Sequence, residues 1–576
     1  MPTTLEWALN IAVLAGTVLG QLGFAILADV YGRQRMYGLE LLIIIISVIG
    51  VTMASNGSSN SMSLVGWLVA WRFLLGIGIG GDYPLSAVIT SEFAPTKHRT
   101  RMLASVFFMQ PCGYLVATVV SMIALVGYRD DITTDSLTCM KVPHCQRALD
   151  RVWRWLVGLG AVPALVAIVL RFTIPESPRY TMEVLNRPDE ALQDVREMEL
   201  PRATSLPRSI NPNLNGDANA HDLELQQRLP PPASGDPSGH LPEGTLSRHA
   251  SFRSAAPLST VIRSDTLGSL SNLHPNTPRI RSMGLDGKPP SAWAIYRSGL
   301  KEYFITKGYW LTLAGTSLTW ASFDFAFYVL GPISYEVVAK TFNEDESNVS
   351  EQDETVYLDL LENSWHSLVI VSIGSMIGGL AMIYLVQPFS SRKIQMVGFL
   401  VLTVLFVTIG LCFEFLNHNS SVPLMAFLYI LAQIFFEIGP NFTTYIIPAE
   451  LFPTRYRCTG HGVSAAAGKV AAVLVQVFVS FTAIGPYKVS DNGVQWFGYV
   501  IIIFAGFMIL GAVATKWWIP EIRNPDGSNR PLEELDYIGK VFRRKPRCPP
   551  RPLSVSAAEA DNISSTNGAA APPAGQ

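Results

Sequence analysis

Apolar residues in this chain do not alternate with polar ones. They gather in uninterrupted runs of about 20, the length needed to cross a bilayer as a helix. Such runs lie near residues 7 to 28, 38 to 54, 64 to 90, 102 to 127 and 152 to 174. After a long polar stretch come six more, near 308 to 333, 364 to 387, 396 to 415, 422 to 447, 461 to 485 and 494 to 518. The pattern predicts an all-α polytopic membrane protein with eleven spans, five and then six.

Positive charge in short loops is retained on the cytoplasmic side. Arg33 and Arg35 therefore place the first loop inside, as do Lys97, Arg99 and Arg101, Arg392 and Lys393, and Arg455 with Arg457 in later loops. The intervening loops 55 to 62 and 416 to 422 carry no Lys or Arg, and loop 334 to 362 is acidic. N-x-S sequons at Asn348, Asn56 and Asn419 fall in these outside loops, although others at Asn441 and Asn562 do not. This orientation places Met1 outside and makes the first half look one helix short. A first helix is expected to be missing, either from the sequence as read or lost from the protein.

The chain divides into a membrane half over 1–180, a linker over 181–300, a second membrane half over 301–520 and a cytoplasmic tail over 521–576. The linker is polar and rich in Pro, Ser, Arg and Asn, with runs such as Leu229-Pro230-Pro231-Pro232. That composition buries too little apolar surface to offset ordering entropy and reads as disordered. Arg248-His249-Ala250-Ser251 resembles a site for a basophilic kinase; chance spacing in a solvated linker is the alternative.

An internal repeat relates the halves. Glu92-Phe93-Ala94-Pro95-Thr96-Lys97-His98-Arg99 and Glu450-Leu451-Phe452-Pro453-Thr454-Arg455-Tyr456-Arg457 share four identities and one conservative pair. Each octad ends a span and begins a cytoplasmic loop. Pro175-Glu176-Ser177 and Pro520-Glu521-Ile522 likewise follow the last span of each half. Parallel repeats of this kind build alternating-access transporters, with substrate between the halves.

Composition narrows the classes further. Charged residues make up 15% of the 576 residues and hydrophobic ones 49%, against about 25% charged in soluble domains. A net charge of -2 leaves no general case for a nucleic-acid partner. The cysteines show no metal-ligand spacing, though Cys139 and Cys145 share an outside loop and could pair. No nucleotide-binding Gly-Lys-Ser/Thr loop is present, and no enzyme activity or cofactor is expected.

A few ionisable residues lie inside the spans, where each costs about 2.5–3.5 kcal/mol or more and marks a functional position by default. Arg72 precedes Gly76, Gly78, Gly80 and Gly81, which let helices approach closely. Asp82-Tyr83-Pro84-Leu85-Ser86 follows. A static pair between Arg72 and an acid is the structural alternative. Trp320, Asp324 and Tyr328 recur at i, i+4 and i+8, on one helix face.

These residues carry a resemblance. Ala28-Asp29-Val30-Tyr31-Gly32-Arg33-Gln34-Arg35 resembles the cytoplasmic signature of the major facilitator superfamily, with Ala25 and Gln34 as departures from it. Gly80-Gly81-Asp82-Tyr83-Pro84-Leu85-Ser86-Ala87 with Ser91-Glu92, Gln110, the Trp320 face, Gly439-Pro440-Asn441, the second octad, His461-Gly462 and Gly468-Lys469 resemble the fungal and plant inorganic phosphate:proton symporters. The resemblance spans nearly all the apolar runs. It implies a major facilitator fold of two helical-bundle halves, twelve spans in the family, and a plasma-membrane location. It further implies that Tyr83, Gln110, Trp320, Asp324, Tyr328, Asn441 and Lys469 bind phosphate. Glu40, Arg72, Asp82 and Asp324 would carry protons, and Asp29, Arg33, Glu92, Arg99, Glu450 and Arg457 would latch one conformation. The family's acid on its first helix has no counterpart here, and Glu437 has no assigned role.

Proton-coupled uptake of inorganic phosphate across the lipid bilayer is the expected function. Glycerophosphodiester or sugar symport is an alternative, because Pro175-Glu176-Ser177-Pro178-Arg179 also resembles sugar porters. A non-transporting phosphate sensor, or a defective truncated chain, is another.

Overall fold

A computed structural model describes residues 3–58, 61–132, 139, 141–185, 187–191, 291–343, 356–415, 418–481 and 491–535. The chain forms two compact units, one holding both membrane halves and one over Arg187–Arg279, of which only the first turn-length piece is described. The first half contains α1 (Thr3–Tyr31), α2 (Arg33–Thr52), α3 (Leu64–Phe93), α4 (Arg99–Gly127) and α5 (Pro143–Arg171), followed by the short α6 (Pro178–Glu183). The second contains α7 (Ala292–Lys301), α8 (Trp310–Asn343), α9 (Val356–Leu385), α10 (Ser391–Phe415), α11 (Pro423–Leu451), α12 (Arg457–Phe481) and α13 (Asp491–Trp518). Among the described residues, ten helices are long and apolar enough to cross a membrane. The remaining expected span, 308 to 333, coincides with the 34-residue α8 from Trp310 onward.

Local chemistry sets several boundaries. Ser63 accepts from the Gly66 amide at 3.2 Å to cap α3, and Ser177 and Ser291 cap α6 and α7 in the same way. Gly32, at φ 105°, makes the sharp turn between α1 and α2. Packing of α1 on α3 depends on small residues: a Cβ added at Gly16, Gly20, Gly76 or Gly80 would strike a backbone carbonyl of the facing helix. Helix α1 also packs along α12, and α4 along α9, which brings the halves together.

Two expectations change. Helix α7 lies, but for Lys301, inside the stretch 181–300 that composition marks as disordered. It is held because Tyr296 is buried, with its hydroxyl 2.6 Å from Thr459 Oγ1 and its ring 5.8 Å from that of Tyr456. The loop expected at 416 to 422 is helical from His418, so the Asn419 sequon stands in a helix's first turn. Cys139 and Cys145 form a disulfide. Asn348, Ser251 and Asn562 lie outside the described residues.

Candidate substrate and coupling site

Mid-helix residues of α8 and α12 form the charged centre. Lys469 Nζ donates to Asp324 Oδ2 at 2.8 Å, with both side chains almost fully buried. Two opposite charges removed from water are tolerable only when paired and hydrogen-bonded. The ammonium also lies 4.6 Å from the Tyr328 ring centroid and 5.5 Å from that of Tyr83, so an aromatic from each half faces one cation. Gly468 makes room for Trp320: a Cβ there would meet Trp320 Cδ1 at 2.5 Å and Asp324 Oδ2 at 2.7 Å. Trp320 in turn meets the His461 ring edge-on at 5.4 Å.

The remaining residues of the expected anion site come in through intermediaries. Gln110 Nε2 donates to the Tyr114 hydroxyl at 2.8 Å, leaving Gln110 Oε1 buried without a partner. Tyr114 is within electrostatic range of Tyr83, Tyr328, Glu437 and Lys469. Asn441 Nδ2 donates to Glu437 Oε2 at 2.7 Å, in a stretch of α11 where the helix widens and breaks at Gly439. The arrangement offers one ammonium, three phenols, an indole and two amides, with the carboxyls of Asp324 and Glu437 among them. Hydroxyl, amide and ammonium donors of this kind match the acceptor oxygens of a small oxyanion.

A second charged group sits between α2, α3 and α5. Arg171 donates to Glu40 Oε1 at 2.6 Å and to Asp82 Oδ1 at 2.7 Å, with the Tyr37 ring 4.0 Å from its guanidinium carbon. One cation facing two acids leaves one negative charge in excess. Arg72 is not in this cluster, and no hydrogen-bond or ion-pair partner for it is found among the described residues. Sequence reasoning missed Arg171, although a basic residue inside the apolar run 152 to 174 was a legible signal. Tyr114 had no such signal.

The two octads close one end of the molecule by exchanging partners. Glu92 of the first accepts from Arg457 of the second at 3.0 Å, and Glu450 of the second accepts from Arg99 of the first at 3.0 Å. Arg33 joins Asp29 and Glu92, each at 3.3 Å, and donates to the Thr454 carbonyl. Asp29 accepts from the Thr459 amide at 2.8 Å and from its hydroxyl at 2.7 Å, capping the start of α12 from the opposite half. The second repeated motif has a parallel role. Glu176 accepts from the Arg33 amide at 3.1 Å and the Gln34 amide at 3.2 Å, and Glu521 accepts from Ser390 and lies 3.9 Å from Arg392. Beside this network, in α6, burial pushes the Tyr180 phenol up to about 12, against the opposing charge of Arg33.

Helices in two bundles, joined through repeated octads around a buried ion pair, are the arrangement of a transporter. The chain matches the family described as Sugar (and other) transporter over residues 3–204 and 312–538. It belongs to that family, within the major facilitator superfamily. It is 34% identical over 540 residues to the repressible high-affinity phosphate permease of Neurospora crassa, covering 93% of this chain and 79% of that relative. It is 32% identical over 547 residues to the inorganic phosphate transporter PHO84 of Saccharomyces cerevisiae, covering 93% of this chain and 78% of that relative. Among solved structures it resembles the proton:xylose symporter XylE bound to 6-bromo-6-deoxy-D-glucose. The TM-score is 0.59 and the identity 17%, over 92% of this chain and 88% of that one, a likeness of fold. This family member is thus a multi-pass membrane protein whose relatives are named as phosphate transporters.

Proposed function

We propose that this chain carries inorganic phosphate into the cell together with protons, by alternating exposure of the site between its halves. The observation that carries the reading is the buried Asp324–Lys469 pair at 2.8 Å, with Tyr83 and Tyr328 against the ammonium. While Asp324 is ionised it occupies Lys469 and repels an anion. Once it takes a proton, Lys469 is released to receive phosphate, and the neutral carboxyl can itself donate a hydrogen bond. Tyr83, Gln110, Trp320, Tyr328 and Asn441 supply the remaining donors. Glu40, Asp82 and Arg171 form a proton site in the first half, with Arg72 further along the same helix as Asp82.

Coupling follows from energetics. Moving an anion into a negative-inside cell costs about 2.3 kcal/mol per charge per 100 mV; one proton carried with a phosphate monoanion cancels that cost, and more than one lets the membrane potential drive accumulation. The octads, the linker and the C-terminus face the cytoplasm in this reading, and the membrane is the plasma membrane.

Radiolabelled phosphate should enter proteoliposomes holding the purified chain, faster with an inward proton gradient. Excess unlabelled phosphate should compete where glucose and glycerophosphoinositol do not. Uptake indifferent to collapse of the gradient would remove proton coupling from the proposal.

A further inference from the structure

Glu437 is fully buried in the broken stretch Glu437–Asn441 of α11, and neither the anion site nor the first-half proton site uses it. Its surroundings hold no compensating charge. From its own element, Asn441 Nδ2 donates to Oε2 at 2.7 Å. From α9, Gly378 lies against its Cβ, and the Ser375 hydroxyl faces the carboxyl. From α4, the Tyr114 phenol is in electrostatic range. From α10, Gly398 packs against Gly439, and from α8 the rings of Phe323 and Phe327 pack on the adjacent Phe436. No basic residue pairs with Glu437 among the described residues, and Lys469 is held by Asp324.

An ionised carboxylate in such a place costs far more than one hydrogen bond returns, and the group becomes neutral by taking a proton. Ser375 Oγ and Glu437 Oε1 are both buried without a hydrogen-bond partner by geometry. A proton on Oε1, donated toward Ser375, satisfies both.

We propose that Glu437 binds a transported proton and is linked to the substrate through Asn441, forming a proton site in the second half additional to Asp324. The inference rests on the phosphate symport reading. When an anion enters, the Asn441 amide turns from Glu437 Oε2 toward a phosphate oxygen, and the carboxyl loses its one fixed donor. This favours the protonated form further, so phosphate and proton load together. Gly439, at φ -116° and ψ -111°, is where α11 departs from helical geometry beside the acid. A change at this break as the halves rock would admit water to Oε1, and the proton would leave to that water as hydronium. With Asp324 and the first-half site at Glu40, Asp82 and Arg171, Glu437 brings the proton sites to three, so that the membrane potential can drive accumulation of a monoanion carried with more than one proton.

The test uses the full chain in proteoliposomes, with charge moved and radiolabelled phosphate moved recorded together, so that a slow variant still reports their ratio. Glu437→Gln should lower the ratio by one proton per phosphate. It should also abolish a protonated-carboxyl band that phosphate binding perturbs in the infrared spectrum of the parent. An unchanged ratio together with an unchanged band would overturn the inference. Ser375→Ala removes only the facing hydroxyl; it should shift that band and the pH midpoint of uptake, and no movement in either would count equally against the proposal. Failure of the parent to move phosphate would instead refute the transport reading, while the infrared band would still report whether Glu437 holds a proton.

Discussion

At 2.8 Å, Asp324 and Lys469 neutralise each other in a setting where neither charge alone is stable. Asp324→Asn leaves the ammonium without its counter-ion, and breaking a buried pair on one side costs about 3–5 kcal/mol. Its thermal unfolding in detergent should move down by several degrees relative to the parent. The joint variant Asp324→Asn with Lys469→Gln should recover most of that stability and none of the phosphate uptake. If the single variant unfolds like the parent, Lys469 has another partner or sheds its proton without cost. At this scale the sequence was informative where chemistry departs from its surroundings. Asp324 stands out in an apolar run, and so does Arg171. Nothing in the sequence separates Tyr114 from other aromatics, because its role comes from the Gln110 amide, which meets it 2.8 Å away.

Helix α11 is not a regular rod. Gly439 and Gly398 of α10 touch through their backbones, and a Cβ added at Gly398 would meet Gly439 Cα at 2.5 Å. Overpacking a close contact typically costs about 1–3 kcal/mol, so Gly398→Ala should lower the unfolding temperature and slow uptake together. Gly506 of α13 has open space where its Cβ would go. Gly506→Ala should therefore leave the unfolding temperature unchanged or raise it, since Ala favours helix over Gly by about 1 kcal/mol. Equal losses from both substitutions would mean that contact at the break is not what makes Gly398→Ala costly. The apolar runs foretold the helices themselves. They did not foretell the break, because Gly439-Pro440 reads equally as a turn, a kink or a helix end until the neighbouring α10 shows what lies against it.

For the whole molecule, the exchanged pairs Glu92–Arg457 and Glu450–Arg99 tie the halves at one end. The segment after α13 reinforces the tie. Arg523 donates to the Gln387 carbonyl of the second half at 2.7 Å, while Asn529 donates to the Thr96 carbonyl of the first at 3.0 Å. Glu92→Gln combined with Glu450→Gln should open this end. Spin labels at the exposed Lys97 and Lys393 should then report a longer separation than in the parent. In the Glu92→Gln background, Arg99→Glu with Glu450→Arg should bring the distance back toward that of the parent, and an unchanged distance in the double variant would show that the acids do not hold the end closed.

The sequence alone determined the class of molecule. Runs of about 20 apolar residues dictate bilayer-spanning helices because unpaired backbone groups are too costly in hydrocarbon, and the octad repeat marked two related halves. Whether those repeats were merely similar helix ends could not be read from spacing. Only the tertiary structure revealed that each octad's acid binds the other's arginine, a contact between residues more than 350 positions apart. The same holds for the ionisable residues within the spans. Their presence was visible as the cost of charge in hydrocarbon, but their partners were not. Burial makes every charge depend on what folds against it. Thus Asp82 answers to Arg171, Lys469 to Asp324, and Glu437 to a neutral amide that leaves it only a proton.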